Sequence, residues 1–353
     1  MATVSLPAPA IPARASARWI ITPRADLVWV IGSSLAGYLY LFLNLVLQVP
    51  FTWLWWFWSV GFDGTHIFGT ASRTFFDRQA RSERRLLLFG SLLFFFSLGP
   101  LMVWFGWKLW LAILVGIWAY YHVMRQHYGF LMLYKIKNRD LAPLDNRLDR
   151  GFLTAMLIAP PFLRFFVRSP EELGLPREMA LGALVPGLEP ALLACAGAFA
   201  AFYIGRQAAQ ARAGRPLNVP KLLLLAGVVP LHWATFAWMS WKAAVPTVTI
   251  VHNLQYHALI WFHNRNRYGG ERAAARNGRL PVTLAASLAG YVGFALLFSL
   301  LYRVPGFHLG RMSDMAFGFF CGFGLTHYYL DARIWRVRED HDLRQALGLG
   351  TSP

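Results

Sequence analysis

Ten apolar segments, each near the roughly 20 residues that a membrane-spanning helix needs, dominate the chain and leave little room for anything else. They fall at about 26–48, 51–72, 85–104, 108–133, 150–168, 180–204, 220–241, 244–264, 281–303 and 312–335. The spaces between them are short and rich in Arg, Lys and Pro. Only 14% of the residues are charged and 56% are hydrophobic, whereas a soluble domain carries about 25% charge. A water-exposed surface cannot be covered from so small a supply. Disorder and a small disulfide scaffold are excluded as well, since the chain is apolar and its two cysteines, Cys195 and Cys321, both lie in apolar stretches. The expectation is an all-α, polytopic membrane bundle with both cysteines as buried thiols.

The net charge of +17 does not point to nucleic acid, because the cations sit in separate clusters rather than on one face. Sorted by side of the alternating helices, 27 of the 34 Lys and Arg residues fall on one side. The positive-inside rule makes that side cytoplasmic and puts both termini there. Residues 1–24, rich in Ala, Pro and Arg, read as a flexible arm, 25–336 as a single membrane domain and 337–353 as a cytoplasmic tail. Pro143, Pro170, Pro176, Pro216 and Pro305 read as loop punctuation. A bacterial inner membrane is the expected location. The basic run Arg73, Arg78, Arg81, Arg84 and Arg85 reads as a flank that touches lipid headgroups.

Ten histidines occur. His308 is expected in an external loop and His341 in the tail, and His232 reads as a structural core residue. His66, His122, His127, His252, His257, His263 and His327 fall on the second, fourth, eighth and tenth helices, which run in the same direction. At a rise of about 1.5 Å per residue, most of them lie about 20–30 Å from the outer ends, in the cytoplasmic half of a core about 30 Å thick. Asp63 lies three residues before His66 and Asp331 four after His327, each pair on one helical face. Carboxylates inside a span are expensive and functional by default; these two read as ligands or as groups that orient a ligating imidazole. His122/His127 and His252/His257 are each five apart, about 140° around a helix, which suits a pair flanking a wide cavity or a helix with a π-bulge.

Imidazole with carboxylate suits iron, zinc, copper or manganese, and seven imidazoles with two carboxylates exceed what one zinc needs. The His-rich layer resembles the membrane-bound non-haem iron enzymes of the fatty-acid desaturase and hydroxylase type. Their His-x3–4-His box matches His122/His127 and His252/His257, although the adjacent His-His pairs of that family are missing here. The layout is also similar to the carotenoid-cleaving membrane dioxygenases of the bacteriorhodopsin-associated kind, which hold one iron with four scattered His. These resemblances imply an O2-dependent iron oxidoreductase, with two irons expected, that acts on a lipid or other apolar substrate by desaturation, hydroxylation or oxidative cleavage. A cytoplasmic electron-donor protein would serve it. Two other readings stay open. One is a transporter or channel that moves protons or metal ions through a His/Asp site; the other is a bis-His haem protein.

Overall fold

The computed structural model describes residues 15–270 and 273–349, almost all of them helical. Ten long helical segments follow one another: α1 (Pro23–Leu45), α2 (51–73), α3 (Arg85–Trp104), α4 (Lys108–Lys137), α5 (Pro143–Arg168), α6 (Leu188–Arg212), α7 (Val219–Trp238), α8 (Trp241–Tyr268), α9 (Leu288–Met312) and α10 (Asp314–Ile334). Six of these, α1, α3, α5, α6, α7 and α9, are long and apolar enough to cross a membrane. The other four are α2, α4, α8 and α10, which carry the seven singled-out histidines. Their polar residues lower their hydropathy, and those residues face protein: His66, Thr70, His122, His252, Asn253, Gln255, His327 and Asp331 are all buried.

The outer surface is apolar instead. Leu35, Trp53, Leu86, Leu93, Trp104 and Met312 are each more than 70% exposed. In water such a surface would aggregate; in a bilayer it is the contact layer. α8 runs through the middle and packs on α1, α2, α4 and α7, while α3 and α9 flank α10. The α3–α10 crossing is tight because it is built on glycine: a Cβ on Gly99 would overlap the Gly318 carbonyl oxygen. Backbones that approach this closely gain dispersion contacts that lipid cannot supply.

Several sequence expectations are corrected. α9 continues through Pro305 to Met312, so Pro305 is inside a helix and His308 lies on that helix rather than in a loop. α6 starts at Leu188, later than expected, after short helical turns at Pro170–Leu173, Arg177–Met179 and Leu181–Leu184. Cys195 is exposed on α6, and only Cys321 is partly covered. Of the expected flexible arm, residues 1–14 lie outside the described residues. Residues 15–24 are tied down: Ala15–Ser16 pairs with Leu217–Asn218, the Ser16 hydroxyl donates to Asn138 at 2.6 Å, and Asp26 accepts from the Ile20 and Ile21 amides at 2.7 and 3.0 Å. The tail holds a short helix, His341–Ala346, that buries Leu343; its last residues, 350–353, are outside the described range.

A charged lock closes one end of this frame. Lys135 of α4 and Lys221 of α7 are buried and share Asp149 of α5, while Asp140 in the α4–α5 loop accepts from Lys221 at 2.8 Å. Tyr203 of α6 donates to Asp149 at 2.5 Å. A lone buried ammonium would be costly, and pairing is what makes these lysines tolerable there.

Candidate metal centre

Four of the seven histidines meet. One ring nitrogen from each of His66, His122, His252 and His327 lies within 4.8 Å of the other three. They come from α2, α4, α8 and α10, one from each helix, and all four are buried. His66 Nε2 is 2.8 Å from His327 Nε2, and His327 Nε2 is 3.1 Å from His122 Nε2. The His252 ring stands edge-on to His66 and His122, with centroids 5.1 and 4.8 Å away. His122 is the most accessible of the four, at 8% exposure, with the Tyr328 ring 5.0 Å from it.

The hydrogen bonds behind the rings fix where the protons are. His66 Nδ1 lies 2.6 Å from the Asp63 carbonyl oxygen, which can only accept. So Nδ1 carries the hydrogen and Nε2 presents a lone pair. His327 Nδ1 lies 2.7 Å from Thr70 Oγ1. The Thr70 hydroxyl donates its single hydrogen to Asp331 Oδ1 at 2.7 Å, and so accepts from His327. Tyr256 donates to the same carboxylate oxygen at 2.8 Å. His327 Nε2 is therefore also a lone pair, aimed at another lone pair 2.8 Å away. Two bare nitrogens that close repel unless a cation lies between them. His252 sharpens the point, since neither of its ring nitrogens has a partner among the described residues although the residue is 1% exposed. A buried polar atom left unpaired costs about 1–3 kcal/mol.

The local sequence explains the aim. α2 is α-helical over Phe51–Trp58 and Gly64–Arg73, with a π-helical turn at Ser59–Asp63 between. Such a turn carries one extra residue and is frequent at functional sites. It sets the Asp63 carbonyl behind His66. Gly69 lets the Tyr256 ring approach α2, where a Cβ would stand 2.8 Å from it. Of the two arrangements that the five-residue spacing on α4 and α8 suits, the π-bulge does not occur; both are unbroken α-helices.

One regularity ties the site together. Each of the four histidines is followed, four residues later, by a polar residue that reaches another helix: Thr70, Gln126, Tyr256 and Asp331. Gln126 donates to the His252 carbonyl at 2.8 Å, and Thr70 and Tyr256 converge on Asp331 as described. One turn of helix places these groups on the same face as the histidine. The result is two parallel layers, imidazoles in one and their supports in the next. Sequence reasoning missed Thr70, Gln126 and Tyr256 as functional groups. The signal was the His-x3-polar repeat.

The remaining expected site residues stand elsewhere. His127, 140° around α4 from His122 as the spacing requires, faces His232 across 5.7 Å. His257 also turns off the cluster, held by Thr65 Oγ1 and the Tyr291 hydroxyl, both at 3.0 Å. His263 packs beside Trp335 and meets Asn264 Oδ1 at 3.0 Å. The Asp63 carboxylate is committed to Arg303 of α9, so its backbone serves the site and its side chain does not. Asp331 supports the cluster, with Oδ2 3.8 Å from His122 Nε2.

Comparison with known protein families, with curated proteins and with solved structures finds no match. What the described residues define is an almost entirely helical protein with six membrane-length apolar helices and a buried group of four histidines able to hold a metal ion.

Proposed function

We propose that His66, His122, His252 and His327 hold a single iron ion, and that the protein is an integral membrane oxidoreductase that uses O2 on a lipid or other apolar substrate. The observation that carries this reading is the facing lone pairs of His66 and His327, 2.8 Å apart, with their other nitrogens locked in hydrogen bonds. The chemistry of the donor set supports it: four neutral imidazoles with no thiolate nearby suit iron, copper or zinc rather than magnesium or calcium. One ion replaces the two expected from the ligand count, because among the described residues a single group of this kind forms.

Bound iron would supply the site at which O2 is activated. The chain's own residues do the rest. Asp63 through its carbonyl, and Thr70 with Asp331 through their side chains, hold two imidazoles in the ligating tautomer. The buried setting keeps bulk water from the centre. Tyr328 and the 8% exposure of His122 make that side the approach for an apolar substrate arriving from the bilayer.

The same reading takes all ten long helices as spans, with both termini cytoplasmic and the centre in the cytoplasmic half of a bacterial plasma membrane. The alternation of Lys and Arg supports it. A bis-His haem is disfavoured, since a porphyrin needs its two axial nitrogens separated by a wide clear plane, and here four rings crowd one point. The test is elemental analysis of protein made anaerobically with iron. About one iron per chain is expected; folded protein without any transition metal would end the proposal, and metal transport in vesicles would replace it.

A further inference from the structure

Charge in the middle of a membrane-spanning helix is expensive, and an ion pair stands there beside the four histidines. We infer that Arg303 and Tyr328 hold the polar end of the substrate, and that this end is an uncharged oxygen, a hydroxyl or a carbonyl, on an otherwise apolar chain. The inference rests on the reading just given and adds the class of substrate to it.

Asp63 lies about 18 Å along α2, near the middle of a helix about 33 Å long. Its carboxylate meets the Arg303 guanidinium of α9, while its carbonyl accepts from His66 at 2.6 Å. α9 presses on α2 at this level. A Cβ on Gly64 would overlap Ser299 Oγ and stand 3.1 Å from Arg303 Cγ. Asp63 thus joins the ion pair to the cluster through its own backbone.

The lock of Lys135, Lys221 and Asp149 shows what a purely structural charge group looks like here: its side chains are at most 2% exposed. Arg303 and Asp63 are 27% and 15% exposed. A water-sized probe therefore reaches this pair at mid-helix. Hydrocarbon against that opening would leave N–H groups without acceptors, which is costly; a ligand oxygen would supply one. Unspent donors gather at the same place. A guanidinium has five N–H groups, and Arg303 Nε has no partner among the described residues. The Tyr302 ring lies 5.0 Å from the guanidinium. Tyr302 is 7% exposed, and its hydroxyl too has no partner among the described residues. Tyr328 is half-buried. Its ring lies 5.0 Å from that of His122, and its hydroxyl sits over Gly324, where a Cβ would stand 3.4 Å away. The tyrosine therefore runs from the cluster back along α10, and it is within electrostatic reach of Arg303.

Charge decides the class of ligand. Arg303 and Asp63 sum to zero. A carboxylate or phosphate would add an unbalanced negative charge at this depth, and an ammonium group would meet the guanidinium. A neutral oxygen accepts from Arg303 and Tyr328 and leaves the balance as it is. Held there, the substrate passes His122 with the carbons next to its oxygen, so the chemistry falls near that end of the chain.

The experiment uses the full chain, supplied with iron, in phosphatidylcholine nanodiscs. A long-chain primary alcohol with a diazirine beside its hydroxyl is the photoprobe, and peptide mass spectrometry maps its labelling to the segments that hold Arg303 and Tyr328. The matching alcohol, methyl ketone, ionised fatty acid and alkane are then added as competitors. The alcohol and the ketone are expected to compete about tenfold better than the acid or the alkane, the scale of a hydrogen bond to a charged group. Arg303→Lys keeps the ion pair without the guanidinium fork, and Tyr328→Phe removes one hydroxyl. Each is expected to shrink the preference for alcohol over alkane, and the double variant to abolish it. Tyr329→Phe, whose ring lies against Phe95, is the control and should keep the parent preference. Equal competition by alcohol and alkane in the parent, strongest competition by the acid, or full preference in the double variant overturns the inference. Iron content is read in every sample. A parent chain that keeps the preference but takes up no iron overturns only the metal reading and leaves a lipid-binding site.

Discussion

Two groups of buried histidines meet at α4, which gives His122 to one and His127 to the other, and they differ in how their ring nitrogens are placed. His66, His122, His252 and His327 turn ring nitrogens toward one point, and partners behind two of the rings hold the protons away from it. His127 and His232 are equally buried, 0% exposed, with rings 5.7 Å apart. Yet His232 donates to its own helix at the Val228 carbonyl, 2.9 Å away, and the two rings are joined by no third donor among the described residues. Two imidazoles with no third donor do not make a transition-metal site. Burial and histidine count are shared; convergence and a supporting layer are not.

The sharpest way to break this contrast is to remove one member of each group. His327→Ala is expected to abolish iron binding while helix content is kept, because a lost ligand changes both the geometry and the charge at the ion. His127→Ala should keep about one iron per chain. Elemental analysis of the two purified variants decides; iron lost from His127→Ala and retained in His327→Ala would reverse the assignment. The supporting layer gives a smaller effect. Asp331→Asn and Thr70→Val leave all four imidazoles in place, and each is expected to weaken metal affinity by about 10–100-fold, read by competition with a chelator. Unchanged affinity would mean that the tautomers are not set by that layer.

Smaller still is the cost of His232→Leu. It removes one unpaired buried nitrogen together with one hydrogen bond, so thermal stability should change by no more than about 1–2 kcal/mol in either direction, with iron content unaffected. Loss of iron there would join the second group to the first. The least effect lies outside the helices, at Asp140. Burial acts to raise its carboxyl, but the Lys221 and Lys135 ammonium groups outweigh burial and hold it below its ordinary value. A depressed carboxyl stabilises the fold above its unfolded pKa, and that contribution fades as pH falls through the lower folded value. Wild type should thus lose stability relative to Asp140→Asn only in acid, below the ordinary carboxylate range; a gap that opened near neutral pH would contradict it.

Much of this was legible in the residues. Apolar length and the alternation of Arg and Lys predict ten membrane spans; the described residues form ten long helical segments, six of which are long and apolar enough to cross a membrane. All four clustered histidines are among the seven expected. The three that do not join fail for reasons of angle and depth. His127 and His257 are five residues from a cluster member and so turn to another face. His263 is nearly eclipsed with His252 but lies about 16 Å further along the axis at 1.5 Å per residue. The sequence pattern points to the carboxylate of Asp63, whereas the residue acts through its carbonyl, which no side-chain pattern reveals. Pro305 reads as a stop because proline breaks helices in water; α9 continues through it, as membrane helices tolerate.

The widened turn at Ser59–Asp63 has a consequence for how α2 can change length. Its two α-helical pieces answer to different neighbours: Trp58 donates to Thr249 of α8 at 2.8 Å, while His66 and Thr70 belong to the centre. The extra residue between them acts as a spacer that lets both fits hold at once. Deleting Gly61, whose missing side chain would meet nothing within 4 Å, would close the turn into regular helix. The outer piece would then swing by about 100° relative to the inner one, taking Trp58 off Thr249 or turning His66 out of the cluster. A single-residue deletion at a glycine that touches nothing would cost this protein more than most substitutions at residues that touch a great deal.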